Sequence, residues 1–255
     1  MAISPRAIIL RAAGTNCERE TKLAFEKAEV EADIVHVSTL KHKKQLFHKY
    51  QIICLPGGFS YGDYISAGKV FALELENIFK EELQEFMHKG GLILGICNGF
   101  QILVKLGLLP FSDFQPRCSL ILNDSGRFED RWVWLKKERI DRHFWFRNLP
   151  EVFPLPVAHA EGKFYTEDNL LGKIEEENLV ALRYVNEEGE RRGYPFNPNG
   201  SLKNIAAVVN TEGNILGMMP HPERYIYAEH CPYEKEEKAQ AWGLEVFKNI
   251  KSYFA

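Results

Sequence analysis

Hydrophobic residues fall in compact blocks along the first hundred positions of the chain. Ala7–Leu10, Ile34–Val37, Ile52–Leu55 and Leu92–Ile96 are short apolar runs with no polar alternation, and each reads as a strand. Between them lie polar stretches with apolar residues at helical spacing. One runs to Ala28, and another from Lys69 to His88 carries Val70, Leu73, Ile78, Leu83 and Phe86 as its expected buried face. Short unalternating strands separated by helices predict an α/β fold with a parallel sheet covered on both faces. Ligand chemistry in such sheets gathers at the carboxyl ends of the strands. Pro56-Gly57-Gly58 follows the third block and Cys97 follows the fourth.

The pattern changes in the second half. Leu120–Asn123, Trp132–Leu135, Pro156–Ala158, Val180–Tyr184, Ile205–Val209 and Ile215–Met219 are strand candidates with few helices between them. They predict an antiparallel extension of the same sheet, so residues 1–255 read as a single domain. Asn197-Pro-Asn-Gly-Ser201 is a turn by composition. A charged stretch, Tyr233–Lys238, leads into a last amphipathic helix through Lys251, with Trp242, Val246, Phe247 and Ile250 on its apolar side. The aromatic clusters Trp132-Val-Trp134 and Phe144-Trp-Phe146 read as core.

Composition narrows the function classes. The 255 residues are 45% hydrophobic and 26% charged, the make-up of an ordinary globular protein with a substantial core. A net charge of −3 gives no electrostatic footing for nucleic acid or an anionic membrane, so neither is an expected partner. No apolar run reaches the length of a membrane span, and the opening Met-Ala-Ile-Ser-Pro-Arg lacks the pattern of a signal peptide. Five scattered cysteines without a C-x-x-C pair argue against a disulfide framework or a zinc site and suit a reducing cytoplasm. Asn123-Asp-Ser and Asn199-Gly-Ser match a glycosylation sequon, which carries no weight in an unsecreted chain.

The candidate chemistry centres on Leu92-Ile-Leu-Gly-Ile-Cys97-Asn-Gly-Phe-Gln101. A strand, a turn flanked by Gly95 and Gly99, and a helix to about Leu106 put Cys97 at a sharp corner, the cysteine form of a nucleophile elbow. The helix N-terminus there favours a thiolate. Such a nucleophile needs a base, and the base needs a group that fixes its tautomer. Met218-Met-Pro-His221-Pro-Glu223-Arg224 supplies both, with His221 as base and Glu223 as its orienter. Gly58, in Pro56-Gly-Gly-Phe-Ser-Tyr-Gly-Asp63, and the backbone N–H of Asn98 form a candidate two-donor oxyanion hole. Val157-Ala-His159-Ala-Glu161-Gly162 is a third polar cluster, read either as substrate contact or as a structural edge; His159 is the rival base. No phosphate loop, dinucleotide fingerprint or H-E-x-x-H zinc motif is present.

Gly95-Ile-Cys97-Asn-Gly99-Phe-Gln101 together with His221-Pro-Glu223 resembles the class I (triad) glutamine amidotransferases. Pro56-Gly-Gly-Phe-Ser-Tyr-Gly-Asp-Tyr64, Gly107-Leu-Leu-Pro110 and Gly217-Met-Met-Pro-His-Pro-Glu-Arg224 narrow the resemblance to the PurQ-type glutaminase subunits of phosphoribosylformylglycinamidine (FGAM) synthases. Arg127-Phe-Glu129, Arg183-Tyr-Val185 and Tyr194–Ser201 look more like the glutaminase domain of the fused, single-chain synthases. The family's usual glycine after the third-cluster histidine is Ala160 here.

The resemblance implies a flavodoxin-like, mixed and largely parallel sheet flanked by helices. It implies Cys97 as nucleophile, His221 as general acid/base, Glu223 as orienter, and Gly58 and Asn98 as oxyanion donors. Gln101 is implied as a contact to L-glutamine, with Gly57, His159 and Glu161 counted beside it. No metal or cofactor is expected on this chain. ATP and magnesium are expected on a PurL-type synthetase partner that converts FGAR to FGAM, with a small PurS-type bridging subunit as an optional further partner. The competing readings are a glutaminase for a different acceptor and a catalytically silent scaffolding or gating subunit.

Overall fold

The computed structural model describes residues 5–138, 144–233 and 240–254. The first half runs β1 (Arg6–Arg11), α1 (Glu18–Lys27), β2 (Glu31–His36), α2 (Val37–His42), β3 (Ile52–Leu55), α3 (Lys69–His88), β4 (Leu92–Ile96) and α4 (Asn98–Lys105). The second half runs β5 (Ser119–Ile121), β6 (Glu129–Lys137), β7 (Val152–His159), β8 (Lys163–Tyr165), α5 (Asp168–Glu176), β9 (Val180–Val185), β10 (Ile205–Val209), β11 (Ile215–Met218) and α6 (Trp242–Tyr253).

Nine strands form one sheet in the order β2-β1-β3-β4-β11-β10-β9-β6-β7. Pairings from β2 across to β11 are parallel, and those from β11 to β7 are antiparallel. The expected mixed sheet with an antiparallel extension is therefore what the chain forms. The order 2-1-3-4 is that of flavodoxin-like sheets. Right-handed crossovers in opposite directions, β1 to β2 and β3 to β4, put α1 and α3 on opposite faces. α6 joins α1, with Phe25 edge-on to Phe247 at 4.9 Å, and α4 packs beside α3. Both faces being covered, β1, β3, β4, β10 and β11 bury almost every residue.

Several expectations need correction. The second strand stops at His36, because Val37 opens α2, whose first turn is capped by His36 Nδ1 accepting from Ser38 N–H. The buried stripe of α3 is Phe71, Ala72, Leu75, Phe79, Leu83 and Phe86, while Leu73 is exposed and Val70 and Ile78 are only half-buried. Phe71, Leu75, Phe79 and Leu83 repeat at four-residue spacing, and of the residues expected from the sequence only Leu83 and Phe86 belong to this buried face. The Leu120–Asn123 segment does not join the main sheet: β5 pairs with β8 in a separate antiparallel ladder, and Asn123 lies beyond it. Neither β8 nor α5 was foreseen. Trp132 and Trp134 are half-buried rather than core, since β6 turns Val133 and Leu135 inward and lays the tryptophans against Tyr225 and Tyr233. The Phe144–Phe146 cluster is buried as expected. Most of the charged stretch before α6, residues 234–238, lies outside the described residues. All five cysteines are free and buried, and among the described residues no helix is long and apolar enough to cross a membrane.

The elbow depends on one close approach. A methyl group on Gly99 would lie 1.8 Å from the Leu55 carbonyl oxygen, so α4 is pressed directly on the end of β3. Gly99→Ala is expected to cost ~2 kcal/mol or more, as overpacking against backbone does, and to lower Tm by roughly 5 °C. Gly172→Ala, in open space on α5, is the control and is expected to be neutral or slightly stabilising. Thermal denaturation of both variants checks this; equal melting temperatures would remove the claim of a tight α4–β3 contact.

Candidate active site

Four neighbouring parallel strands deliver their carboxyl ends to one place. β1 leads into Gly14–Cys17, β3 into Gly57-Gly58, β4 into Cys97 and β11 into His221. Cys97 has φ 51° and ψ −104°, a backbone conformation that L-residues adopt only under constraint. The constraint is visible: its N–H donates to Met218 O at 2.7 Å and its carbonyl accepts from Gln101 N–H at 3.1 Å. The thiol is buried, with Sγ 3.5 Å from the Ala158 carbonyl oxygen.

His221 and Glu223 lie inside the protein, both about 1% exposed. His221 Nδ1 and Glu223 Oε1 are 2.6 Å apart, so Nδ1–H donates to the carboxylate. Burial alone would lower the imidazole pKa, but the Glu223 carboxylate, with the Cys97 and Cys17 sulfurs, carries it well above the ordinary histidine value. Nε2 has no partner at hydrogen-bond geometry, although both sulfurs act on the ring. Gly57 closes one side of that ring, for a methyl there would sit 2.8 Å from His221 Cε1 and 3.0 Å from Cys17 Sγ. Gly58 has φ +142°, and a methyl on it would lie 2.8 Å from Asn16 N. Neither position admits a side chain.

Cys17 and Arg224 form a wall that the sequence did not point to. Arg224 donates to Glu20 Oε1 at 3.0 Å and to Cys17 Sγ at 3.2 Å, tying the His221 loop to the start of α1. Burial pushes the Cys17 thiol pKa up. Ligand atoms of Cys17, Glu20, His221 and Glu223 all lie within 4.8 Å of one another, a donor set of the kind that holds a metal. The Arg224 guanidinium already meets two of those four groups as their cation.

On the other side, Asn98 and Gln101 knit the elbow to its surroundings. Asn98 Oδ1 accepts from Ser60 N–H at 3.2 Å, and its amide donates to Gln101 Oε1 at 2.9 Å and Asp63 Oδ1 at 3.3 Å. Gln101 Nε2 donates to Glu161 O at 2.6 Å. Both ends of the Gln101 amide are thus engaged within the protein. The Glu161 carboxylate accepts from Ala67 N–H at 3.4 Å. Burial first, and then the negative charge of Glu161, raise the Asp63 pKa, while burial lowers that of Lys105 nearby. Tyr61, Asp63 and Ile65 all have positive φ, and Phe59, Tyr64 and Ile65 are exposed. The loop after β3 is strained and apolar outward.

The third cluster is buried through a network of asparagines. His159 is 3% exposed, and burial, followed by the nearby His221, holds its pKa down to about 3. Asn123 joins the His159 ring, the His159 carbonyl and Gly162 N–H. Asn199 and Ser201, from the predicted turn, bond the Gly162 carbonyl, and Ser201 Oγ also takes Phe164 N–H. Asn123 and Asn199 are thus interior residues, whereas the sequence marked them only as sequons. Ala160 has no positive φ, so the glycine usual at this position is not required by the backbone here. Arg183 is likewise interior, bridging Glu138 at 2.5 Å and Glu175 at 2.6 Å.

Comparison with known proteins shows the family of the chain. The model of the CobB/CobQ-like glutamine amidotransferase domain matches residues 4–254. The phosphoribosylformylglycinamidine synthase subunit PurQ of Methanococcus maripaludis is 39% identical, over 99% of this chain and 98% of its own. The same subunit from Archaeoglobus fulgidus is 42% identical, over 97% and 96%. A chain of the PurLQS structure from Thermotoga maritima is 33% identical and superimposes with a TM-score of 0.73, covering 99% of this chain and all (100%) of that one. The chain belongs to the CobB/CobQ-like glutamine amidotransferase family.

Proposed function

We propose that this chain is the glutaminase subunit of a phosphoribosylformylglycinamidine synthase. It hydrolyses L-glutamine to glutamate and ammonia and passes the ammonia to a PurL-type synthetase subunit, which uses ATP and magnesium to convert FGAR to FGAM. The observation that carries the reading is the meeting of Cys97, the His221–Glu223 pair and the Gly57-Gly58 turn at adjacent strand ends. The two PurQ relatives, similar over nearly their whole length, favour this acceptor over others.

Cys97 attacks the side-chain carbonyl carbon of glutamine as a thiolate, its proton already held on His221 Nε2 by the raised basicity of that ring. The carbonyl oxygen becomes an oxyanion facing the N–H groups of Gly58 and Asn98. As the C–N bond breaks, His221 returns the proton to the nitrogen, which leaves as ammonia, and a glutamyl thioester remains on Cys97. Water then attacks the thioester, giving its proton to His221, and the C–S bond breaks to release glutamate and the thiol. Glu223 keeps Nδ1 protonated, so that Nε2 is the nitrogen that exchanges protons with the thiol, the amine and the water. His159 is too weakly basic for that work. Gln101, Glu161 and Gly57 line the glutamine site, the Glu161 carboxylate offering a partner to an α-ammonium group.

Ammonia released into water is protonated and lost as a nucleophile, so such a site is useful only against a partner. Phe59, Tyr64 and Ile65, exposed on the strained loop beside Asn98, offer an apolar surface for the synthetase, and a PurS-type subunit is a further candidate neighbour. The test is glutamate release by the chain alone and with PurL- and PurS-type subunits, coupled to FGAM formation. Glutamine-dependent FGAM formation that requires this chain is expected. Formation supported by ammonium but never by glutamine would overturn the reading.

A further inference from the structure

Cys17, Glu20, His221 and Glu223 are the one cluster of potential metal ligands among the described residues, a donor atom of each lying within 4.8 Å of the others. Two short-range pairs build it. Cys17 immediately precedes α1 and Glu20 lies three positions on, so the two sit on one side of its first turn. His221 and Glu223 flank Pro222 at the 3-10 turn after β11. The fold presses the pairs together. Cys17 N–H donates to Gly57 O at 3.2 Å, and a methyl on Gly57 would lie 3.0 Å from Cys17 Sγ, 2.8 Å from His221 Cε1 and 3.5 Å from His221 Nδ1. Glu223 bonds His221 through Oε1, and its other oxygen, Oε2, is buried without a partner. A buried acceptor left unsatisfied is unfavourable unless something takes its lone pair. Arg224 covers the cluster, donating to Glu20 Oε1 at 3.0 Å and to Cys17 Sγ at 3.2 Å. The Arg224 and Glu20 side chains are 35% and 38% exposed, and they are the way in from solvent. A sulfur, a ring nitrogen and two carboxylates so placed are the donor set of a four-coordinate zinc ion, with Arg224 holding the place of the cation.

We infer that a thiophilic divalent cation, of which zinc is the type, displaces Arg224 and binds Cys17, Glu20, His221 and Glu223, and that its binding switches the glutaminase off. The site stands on the geometry; the inhibition rests on the glutaminase reading and adds a regulation to it. The ion takes the Cys17 sulfur as a thiolate and a lone pair of the His221 ring, and the protons those atoms carried pass to solvent. Arg224 swings outward into water. With its ring ligated and the Glu223 carboxylate drawn to the metal, His221 has no proton for the departing nitrogen. Cys97 is not a ligand, so the nucleophile stays in place without its base. Removal of the metal restores the Arg224 contacts, and the inhibition is reversible.

The test titrates zinc and cobalt(II) into the full chain as Cys97→Ala, so that the nucleophile cannot supply the sulfur. A single zinc ion is expected to bind with release of protons, and cobalt(II) in its place to show the sulfur-to-metal charge-transfer band of a tetrahedral thiolate site. Adding Cys17→Ser weakens binding about a hundredfold or more and removes the band, since even an outer partner of a metal ligand is worth about 10–100-fold. Adding Arg224→Met instead tightens binding about tenfold, because the ion no longer has to break charged hydrogen bonds to enter. In the wild-type chain with its synthetase, zinc stops glutamate release while ammonium-dependent synthesis continues, and a chelator restores the release. Binding that survives Cys17→Ser, or that requires Cys97, overturns the proposal, and so does glutamate release undiminished at saturating zinc. If Cys17→Ser does not fold, the cobalt band and the Arg224→Met comparison decide. A chain that binds zinc as described but hydrolyses no glutamine in metal-free buffer with its synthetase overturns the glutaminase reading and the inhibition with it, and establishes the metal site alone.

Discussion

Cys97→Ala is expected to abolish glutamine hydrolysis, with kcat falling by about 10⁴-fold or more, because the atom lost is the one that forms the thioester in the proposed mechanism. Stability should hardly move. The Sγ contact to Ala158 O is long, at 3.5 Å, and the strained backbone is held by bonds to Met218 and Gln101 that do not involve the sulfur. A chain with wild-type Tm and no glutaminase activity is therefore the expected product. Cys97→Ser should behave similarly, since a hydroxyl is a weaker nucleophile and a poorer leaving group than a thiol. Synthesis by the complex should survive on ammonium salts, because the variant leaves the synthetase untouched. Glutamate release and FGAM formation, each measured with glutamine and with ammonium, separate the two activities. Glutamine-dependent synthesis at the wild-type rate in Cys97→Ala would sink the thioester mechanism.

The parts of this site that were legible in the sequence are those written in the backbone. Gly95 and Gly99 around Cys97 announce a tight corner because only a missing side chain allows Leu55 O and Gly99 to approach so closely. His221-Pro-Glu223 is legible as a base with a carboxylate two positions on; the structure puts their side chains 2.6 Å apart, across the short 3-10 turn Pro222–Arg224 rather than in extended chain. The buried strands β3 and β4 fall where their unbroken apolar runs put them. What stayed hidden depends on tertiary contact alone. Arg224 reaches Glu20, 204 positions away in the chain, and nothing local to either residue marks the pair. Asn123 looks like any loop asparagine until Gly162 and His159 are folded against it. The face of α3 was misjudged for a related reason: several apolar stripes fit the helical period, and the sheet beneath decides which is buried.

Glu223→Gln is expected to lower kcat roughly 10³-fold or more, as loss of the orienting carboxylate does in a triad. The substitution keeps the size of the side chain and removes its charge. Burial is then opposed only by the Cys97 and Cys17 sulfurs and the His221 pKa falls, so the limb of the pH–rate profile that belongs to His221 moves to lower pH. Stability gives an independent reading. In the wild type the folded pKa of His221 lies above the unfolded value, about 6.5. Its contribution is fully present below that unfolded value and is lost as pH rises through the raised folded one. The variant, whose folded pKa is lower than that of the wild type, gains less stability as pH falls. The stability gap between wild type and Glu223→Gln is therefore widest near pH 6 and narrows toward pH 9, which urea denaturation at the two pH values measures. A gap that widens with pH would mean that the buried imidazole is neutral beside Glu223. In that case His221 would enter the reaction able to accept the Cys97 proton but with none already in hand, and the order of proton transfers set out above would start from the neutral pair.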